Sequence, residues 1–277
     1  MESFLIIDGH NLLFRMFYGI PGSMKNSKGN EIKAAFGFTS GLIKYIGKFS
    51  PKNIMVVFDT ETSIANKCKD YSDYKSNRIN YLDLPDDENP FTQMPYIFQV
   101  LNHLGVYYKE IEEYEADDYI ASFCENHSDK YKFIIVSTDQ DFFQLVNDKI
   151  SVFNPSGKQG VMYNSQKIYE KLGVYPEQIV EYKSLIGDKS DNITGIRGVG
   201  PKTAQKILSV GSIDTILKNG LGGKLHDVLK ENEFIINRNI NLITMKRDIR
   251  INCDLDKCRN KIDANLKAMD IISEICN

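Results

Sequence analysis

Three short, unbroken apolar runs lead into aspartates. Phe4-Leu5-Ile6-Ile7 meets Asp8, Ile54-Met55-Val56-Val57-Phe58 meets Asp59, and Phe133-Ile134-Ile135-Val136 reaches Asp139 three residues on. Runs of this length, partly β-branched and without polar alternation, suit strands buried on both faces of a parallel sheet. Between them, Ala35, Phe38, Leu42, Ile43 and Ile46 recur at helical spacing, as do Tyr96, Val100, Leu101 and Leu104. Strands alternating with helices predict an α/β fold: a central, mostly parallel, twisted sheet flanked by helices. Ligands of such sheets bind beyond the carboxyl ends of the strands, where these three carboxylates would converge. Taken singly, each Asp is also an ordinary turn-starting residue at a strand end.

Further acids come in tight groups. Glu115-Ala116-Asp117-Asp118 precedes an apolar stripe of Ala116, Tyr119, Ile120 and Phe123, so these acids occupy the first turn of a helix. A helix dipole favours acids there, which accounts for one or two of them but not three in four positions. Ser137-Thr138-Asp139-Gln140-Asp141 and Gly187-Asp188-Lys189-Ser190-Asp191-Asn192 each hold two more. Crowded carboxylates raise one another's pKa unless cations lie among them. Hard oxygen donors without His or Cys suit Mg²⁺ or Mn²⁺ rather than zinc. Two such ions fit phosphodiester hydrolysis by activating water and stabilising the leaving oxygen.

A net charge of −3 argues at first against a polyanionic partner, but without the nine carboxylates assigned above the remainder carries +6. Gly195-Ile196-Arg197-Gly198-Val199-Gly200-Pro201-Lys202-Thr203-Ala204 reads as helix, glycine hairpin, helix, with Pro201 in a favoured first-turn position. Backbone N–H groups at such a hairpin bind phosphate without reading bases. The stretch from Ser63 to Pro95 is polar and reads as a long exposed excursion. Within it, Tyr74-Lys75-Ser76-Asn77-Arg78 joins an aromatic able to stack on a base to two cations able to hold phosphates. Arg15, seven residues past Asp8, could aim a guanidinium at the crevice. Cys68, Cys124, Cys253, Cys258 and Cys276 are scattered, without a metal-knuckle pattern, and read as plain thiols. No apolar stretch approaches the roughly 18 residues of a membrane span, and the N-terminus lacks a signal-peptide core. A cytoplasmic protein without membrane contact is expected. After about Gly220 the chain reads as Asn- and Lys-rich helix with no chemical signal.

In order along residues 4 to about 250, Ile6-Ile7-Asp8-Gly9, Val56-Val57-Phe58-Asp59, Tyr74 to Arg78, Glu115 to Asp118, Ser137 to Asp141, Gly187 to Ile193 and Gly198 to Ala204 resemble the 5′-nuclease (flap endonuclease) superfamily. The likeness is in particular to the N-terminal domain of bacterial DNA polymerase I and to free-standing bacterial and phage 5′-3′ exonucleases. The resemblance implies a first metal cluster of Asp8, Asp59, Glu115 and Asp117, with Asp118 beside them, and a second of Asp139, Asp141, Asp188 and Asp191. It implies that Lys75 and Arg78 stand at the base of a helical arch for a single-stranded 5′ end. Arg15 would steer phosphate and Tyr74 would stack. The glycine hairpin corresponds to a helix-hairpin-helix element gripping duplex DNA through Gly198, Gly200, Lys202 and Thr203. Backbone carbonyls of Gly195, Ile196 and Val199 would hold a potassium ion.

These observations predict a nuclease core over residues 1–180, with the arch region near 63–95, and a helical part over 181–277 that carries the hairpin element near 183–210. The expected protein is a monomeric 5′-3′ exonuclease or flap endonuclease, either a stand-alone enzyme or an excised domain, bacterial or phage-like and nucleoid-associated. Its substrate would be DNA with a 5′ flap, nick or 5′ overhang, or an RNA–DNA hybrid. A non-catalytic DNA-binding protein and a metal-dependent phosphatase are the rival readings. The first leaves nine acids on a surface meant for phosphates, and the second leaves the glycine hairpin unexplained.

Overall fold

A computed structural model of the chain describes residues 1–60, 74–76, 81, 84–219, 223–263 and 265–276. Six strands form one sheet: β1 (Glu2–Asp8), β2 (Asn53–Asp59), β3 (Tyr107–Ile111), β4 (Tyr131–Val136), β5 (Ile150–Asn154) and β6 (Val161–Tyr163). Their order is β3-β2-β1-β4-β5-β6, with only the β5–β6 pair antiparallel. The sequence order therefore reverses between β1 and β4, the place where a doubly wound sheet opens a crevice at its carboxyl edge. Register brings the acids there together: Asp8 lies opposite Val57, two residues before Asp59, and Ile7 opposite Val136, just before Ser137.

The apolar runs are continuous because both faces of the sheet are covered. Phe4 and Ile6 pack on one face beside α4 (Ala116–Asn126), whereas Leu5 and Ile7 pack on the other among α1 (Gly9–Gly19), α2 (Lys33–Phe49) and α3 (Met94–His103). All four are fully buried. The predicted helices near Ala35 and Tyr96 are α2 and α3. The polar excursion packs down before its predicted end. Pro90 and Gln93 are buried, and the Gln93 side-chain oxygen accepts the Ala34 and Ala35 N–H groups, capping the start of α2.

Further helices among the described residues are α5 (Ser165–Leu172), α6 (Ile179–Ile186), α7 (Pro201–Leu208), α8 (Ile213–Asn219), α9 (Lys224–Glu231), α10 (Glu233–Ile243) and α11 (Ala268–Cys276). Two-residue strands β7 (Gly187–Asp188) and β8 (Ile193–Thr194) form a small hairpin between α6 and α7. The expectation of helix after Gly220 holds for α9 and α10 but fails from Thr244 to Asn260. There the chain runs as a strap with a single short 3-10 turn, bonded to α4 and then to the sheet. Its backbone groups find partners on those elements instead of on a helical turn. Among the described residues, no helix is long and apolar enough to cross a membrane.

Candidate metal centre

Asp8 ends β1 and caps α1, its Oδ1 accepting the Asn11 N–H at 3.1 Å. Gly9 follows without a loop, where a Cβ would collide with the Phe58 ring. Asp8 Oδ2 accepts from the Ser137 hydroxyl at 2.8 Å, and the Asp139 N–H donates to that same hydroxyl at 3.1 Å. The Asp141 N–H then donates to Asp139 Oδ1 at 2.8 Å. A continuous polar ladder thus joins β1 to the segment after β4. Burial pushes the Asp8 carboxyl up to about 6, against the Ser137 and Asn11 bonds and helped by neighbouring Asp59. Asp139 is likewise raised, by burial and by Asp8 and Asp191. Burial and Asp139 raise Asp141 to about 7.

On the other side of Asp8, Asp59 Oδ1 accepts the Ala116 N–H at 2.7 Å, at the start of α4, and His10 lies 3.7 Å from Oδ2. Burial would raise Asp59, but His10 and the Ala116 N–H outweigh it and hold the carboxyl below its usual range. The first turn of α4 supplies Glu115, Asp117 and Asp118, whose oxygens come within 4.8 Å of one another. This trio offers oxygen donors alone, the hard set that suits a divalent cation such as Mg²⁺. Asp118 has a second duty, since its Oδ1 accepts the Lys246 N–H of the strap at 2.8 Å.

Asp188 and Asp191 lie on the β7–β8 hairpin. Asp188 Oδ1 accepts the Ser190 N–H at 2.8 Å. Lys183, on α6, drives its ammonium between Asp141 and Asp188 and pairs with both. Burial works against the Lys183 charge, yet Asp141 and then Asp188 hold its pKa above the usual range. Lys183 in turn brings Asp188 below its usual range despite burial. One ammonium set among Asp139, Asp141 and Asp188 leaves the pocket with surplus negative charge, which further cations would offset. Lys183 was not singled out in the sequence. Its position one helical turn before the Gly187-Asp188 corner is the signal that could have found it. The hairpin is fixed by Asn239 of α10, fully buried, whose side-chain N–H groups donate to the Ser184 and Thr194 carbonyls at 2.9 Å each.

Lys75 enters the same pocket. Its N–H donates to the Asp191 carbonyl at 3.0 Å, its φ of +54° turns the chain sharply, and its ammonium pairs with Glu115. Two further expectations need correction. Tyr74 does not offer its ring to a base: it is 3% exposed, packed with Ile193, Leu242 and Ile243, and its hydroxyl lies 3.4 Å from Glu115 Oε2. Burial and the surrounding acids keep that hydroxyl protonated. Arg15 does not reach toward the acids. Two helical turns carry it roughly 10 Å along α1, and its guanidinium braces the Tyr45 hydroxyl at 3.2 Å and the Pro155 carbonyl at 2.7 Å. Arg78 lies outside the described residues.

The hairpin element follows directly. Gly187 (φ +82°) and Gly195 press backbone against backbone, so a Cβ on Gly195 would strike the Ile186 carbonyl and the Gly187 nitrogen. The Val199 N–H closes the turn on the Ile196 carbonyl at 3.0 Å, around Gly198 with φ +83°. Gly200 is the N-cap of α7, and Gly198, Gly200 and Lys202 are exposed, with Thr203 half-buried beside them.

Residues 3–173 match the family described as 5′-3′ exonuclease, N-terminal resolvase-like domain, and residues 174–265 match 5′-3′ exonuclease, C-terminal SAM fold. The 5′-3′ exonuclease of Aquifex aeolicus is 38% identical over 222 residues, covering 79% of this chain and 73% of that protein. The thermostable DNA polymerase I of Thermus aquaticus is 31% identical over 260 residues, 93% of this chain but only 29% of the polymerase. A crystal structure of the bacteriophage T5 D15 flap endonuclease with DNA and metal ions is 26% identical, with a TM-score of 0.71 over 87% of this chain and 88% of that one. Family matches that run unbroken from residue 3 to residue 265 join the gathered acids and the glycine hairpin in one assignment: the chain belongs to the 5′-3′ exonuclease family of nucleases.

Proposed function

We propose that this nuclease hydrolyses phosphodiester bonds near DNA 5′ ends, acting on flaps, nicks or 5′ overhangs and on RNA–DNA hybrids, with Mg²⁺ or Mn²⁺ as its metal. The observation that carries the reading is the meeting of acids from β1, β2, α4, the segment after β4 and the β7–β8 hairpin at one sheet edge. Asp8, Asp59, Glu115 and Asp117, with Asp118, would hold one ion, and Asp139, Asp141, Asp188 and Asp191 another. Bound there, divalent ions would lower the pKa of an attacking water and offset charge on the leaving oxygen.

The chain's own residues do the rest. Lys75 would move from carboxylate to phosphate and, together with Arg78, hold the strand in line as charge develops. Arg15 would steer phosphate only by leaving its present brace. Gly198, Gly200, Lys202 and Thr203 would take the duplex backbone by shape, without reading bases. The carbonyls of Gly195, Ile196 and Val199 would hold a potassium ion that stiffens the turn. A monomer working in the cytoplasm, divided near residue 180, completes the proposal.

A labelled 5′-flap duplex tests it. Short 5′ products should appear with Mg²⁺ and vanish with a chelator, and Asp139→Asn with Asp188→Asn should abolish cutting while flap binding persists. Binding without cleavage at any divalent concentration would overturn the reading in favour of a binding module.

A further inference from the structure

Far from the acids, Cys253 and Cys258 sit with their sulfurs 3.7 Å apart in the strap. Around them the strap is sewn to the amino edge of the sheet. Arg259 bridges Asn53 of β2, and the Asn260 N–H and side chain donate to the Lys52 and Pro51 carbonyls at 3.0 Å each. Cys258 is fully buried, whereas Cys253 is partly open to solvent. We propose that Cys253 and Cys258 form a redox-active dithiol that hydrogen peroxide closes to a disulfide, a cross-link within the strap where it meets the amino edge.

The chemistry suits the arrangement. The Cys258 thiol beside it, and Tyr107 of β3, hold the Cys253 thiol down at about 7, while Cys253 and burial keep Cys258 protonated. The accessible sulfur is thus the nucleophile and the buried one the resolving thiol. The Cys253 thiolate attacks peroxide, forming an S–O bond as the O–O bond breaks, and the departing hydroxide takes up a proton to become water. The Cys258 sulfur then displaces the oxygen from that sulfenic acid as a second water, its own proton leaving with it. Two thiols are oxidised to one disulfide and one peroxide is reduced to two waters. Closure needs the sulfurs to approach from 3.7 Å to a bond length of about 2 Å. That distance lies within the play of a strap segment with a single short 3-10 turn. Disulfides in reducing compartments are mostly transient and sensing, which fits a reversible pair.

The test uses the full reduced chain, treated with stoichiometric peroxide, alkylated and digested with trypsin. Arg250, Lys257 and Arg259 put the two cysteines on separate peptides, Ile251–Lys257 and Cys258–Arg259. The expected product is those peptides joined, two hydrogens lighter than their sum and separated again by dithiothreitol. In Cys258→Ser, dimedone should capture Cys253 as the sulfenic acid. In the unmodified chain, Cys253 should alkylate at least tenfold faster than buried Cys124. The proposal is overturned if both peptides stay alkylated after peroxide, or if Cys253 cross-links to Cys68 or Cys276 instead.

Discussion

Replacing Lys183 by methionine keeps the length of the side chain and removes one charge from the acid pocket. In the chain as it stands, that ammonium pairs with Asp141 and Asp188, and all three side chains are less than 15% exposed. Removing one partner of a buried ion pair costs about 3–5 kcal/mol, because the remaining charge keeps its desolvation penalty. Unfolding entropy of roughly 2 cal/mol/K per residue gives this chain about 0.6 kcal/mol per degree, so Tm should fall by about 5–8 °C. The fall belongs to the metal-free protein and should be read by calorimetry in a chelator at about pH 8. Near pH 5 it should shrink, because Asp141, already raised to about 7, takes up a proton and no longer needs a counter-charge. Saturating Mg²⁺ should restore most of the loss, since a divalent ion neutralises the carboxylates that the ammonium left behind. An unchanged Tm in chelator, or a deficit that Mg²⁺ does not touch, would refute the idea that Lys183 and metal answer the same surplus of negative charge.

Asp8→Asn should remove cleavage yet stabilise the metal-free protein. The folded-state value of about 6 lies above the ordinary 3.8, so folding favours the protonated form, and wild-type stability falls as pH rises from about 4 to 6. The variant escapes that loss, gaining up to about 3 kcal/mol over wild type by neutral pH; thermal melts across pH in chelator measure it, and parallel curves would contradict it. Gly195→Ala should cost more than about 2 kcal/mol and weaken duplex binding, since its Cβ meets backbone. Gly200→Ala, with open space around its Cβ, should change stability by less than about 1 kcal/mol. Tyr74→Ala should lower stability by about 3–5 kcal/mol as a core truncation, whereas Tyr74→Phe should bind single-stranded DNA as wild type does. An unaltered melt with weakened binding in Tyr74→Ala would restore the stacking role.

The parts of the fold and site that were legible in the sequence are those fixed by local pattern. Unbroken apolar runs announce β1, β2 and β4 because both faces of each are covered, and acids directly after them must lie at the carboxyl edge. Strand β3, Tyr107-Tyr108-Lys109-Glu110-Ile111, is half polar because it ends the sheet, and it carries no such signal. The positions misread or passed over are those whose neighbours come from far along the chain. Tyr74 is buried by Leu242 and Ile243, Arg15 is held by Pro155, and Asp118 is tied to Lys246. None of these pairings leaves a periodic trace. Lys183 was overlooked for a related reason. A lysine on a helix normally reads as solvated, and only the turn at Gly187 brings it between Asp141 and Asp188.

The central claim is that these carboxylates share one pocket because divalent cations bind among them. Crystals grown with Mn²⁺ and measured for anomalous scattering test it most directly. The account predicts peaks bounded by Asp8, Asp59, Glu115 and Asp117 and by Asp139, Asp141, Asp188 and Asp191, with Lys183 displaced from at least one of its present partners. Well-ordered crystals at saturating Mn²⁺ with no peak among those side chains, and with Lys183 still seated between Asp141 and Asp188, would contradict it.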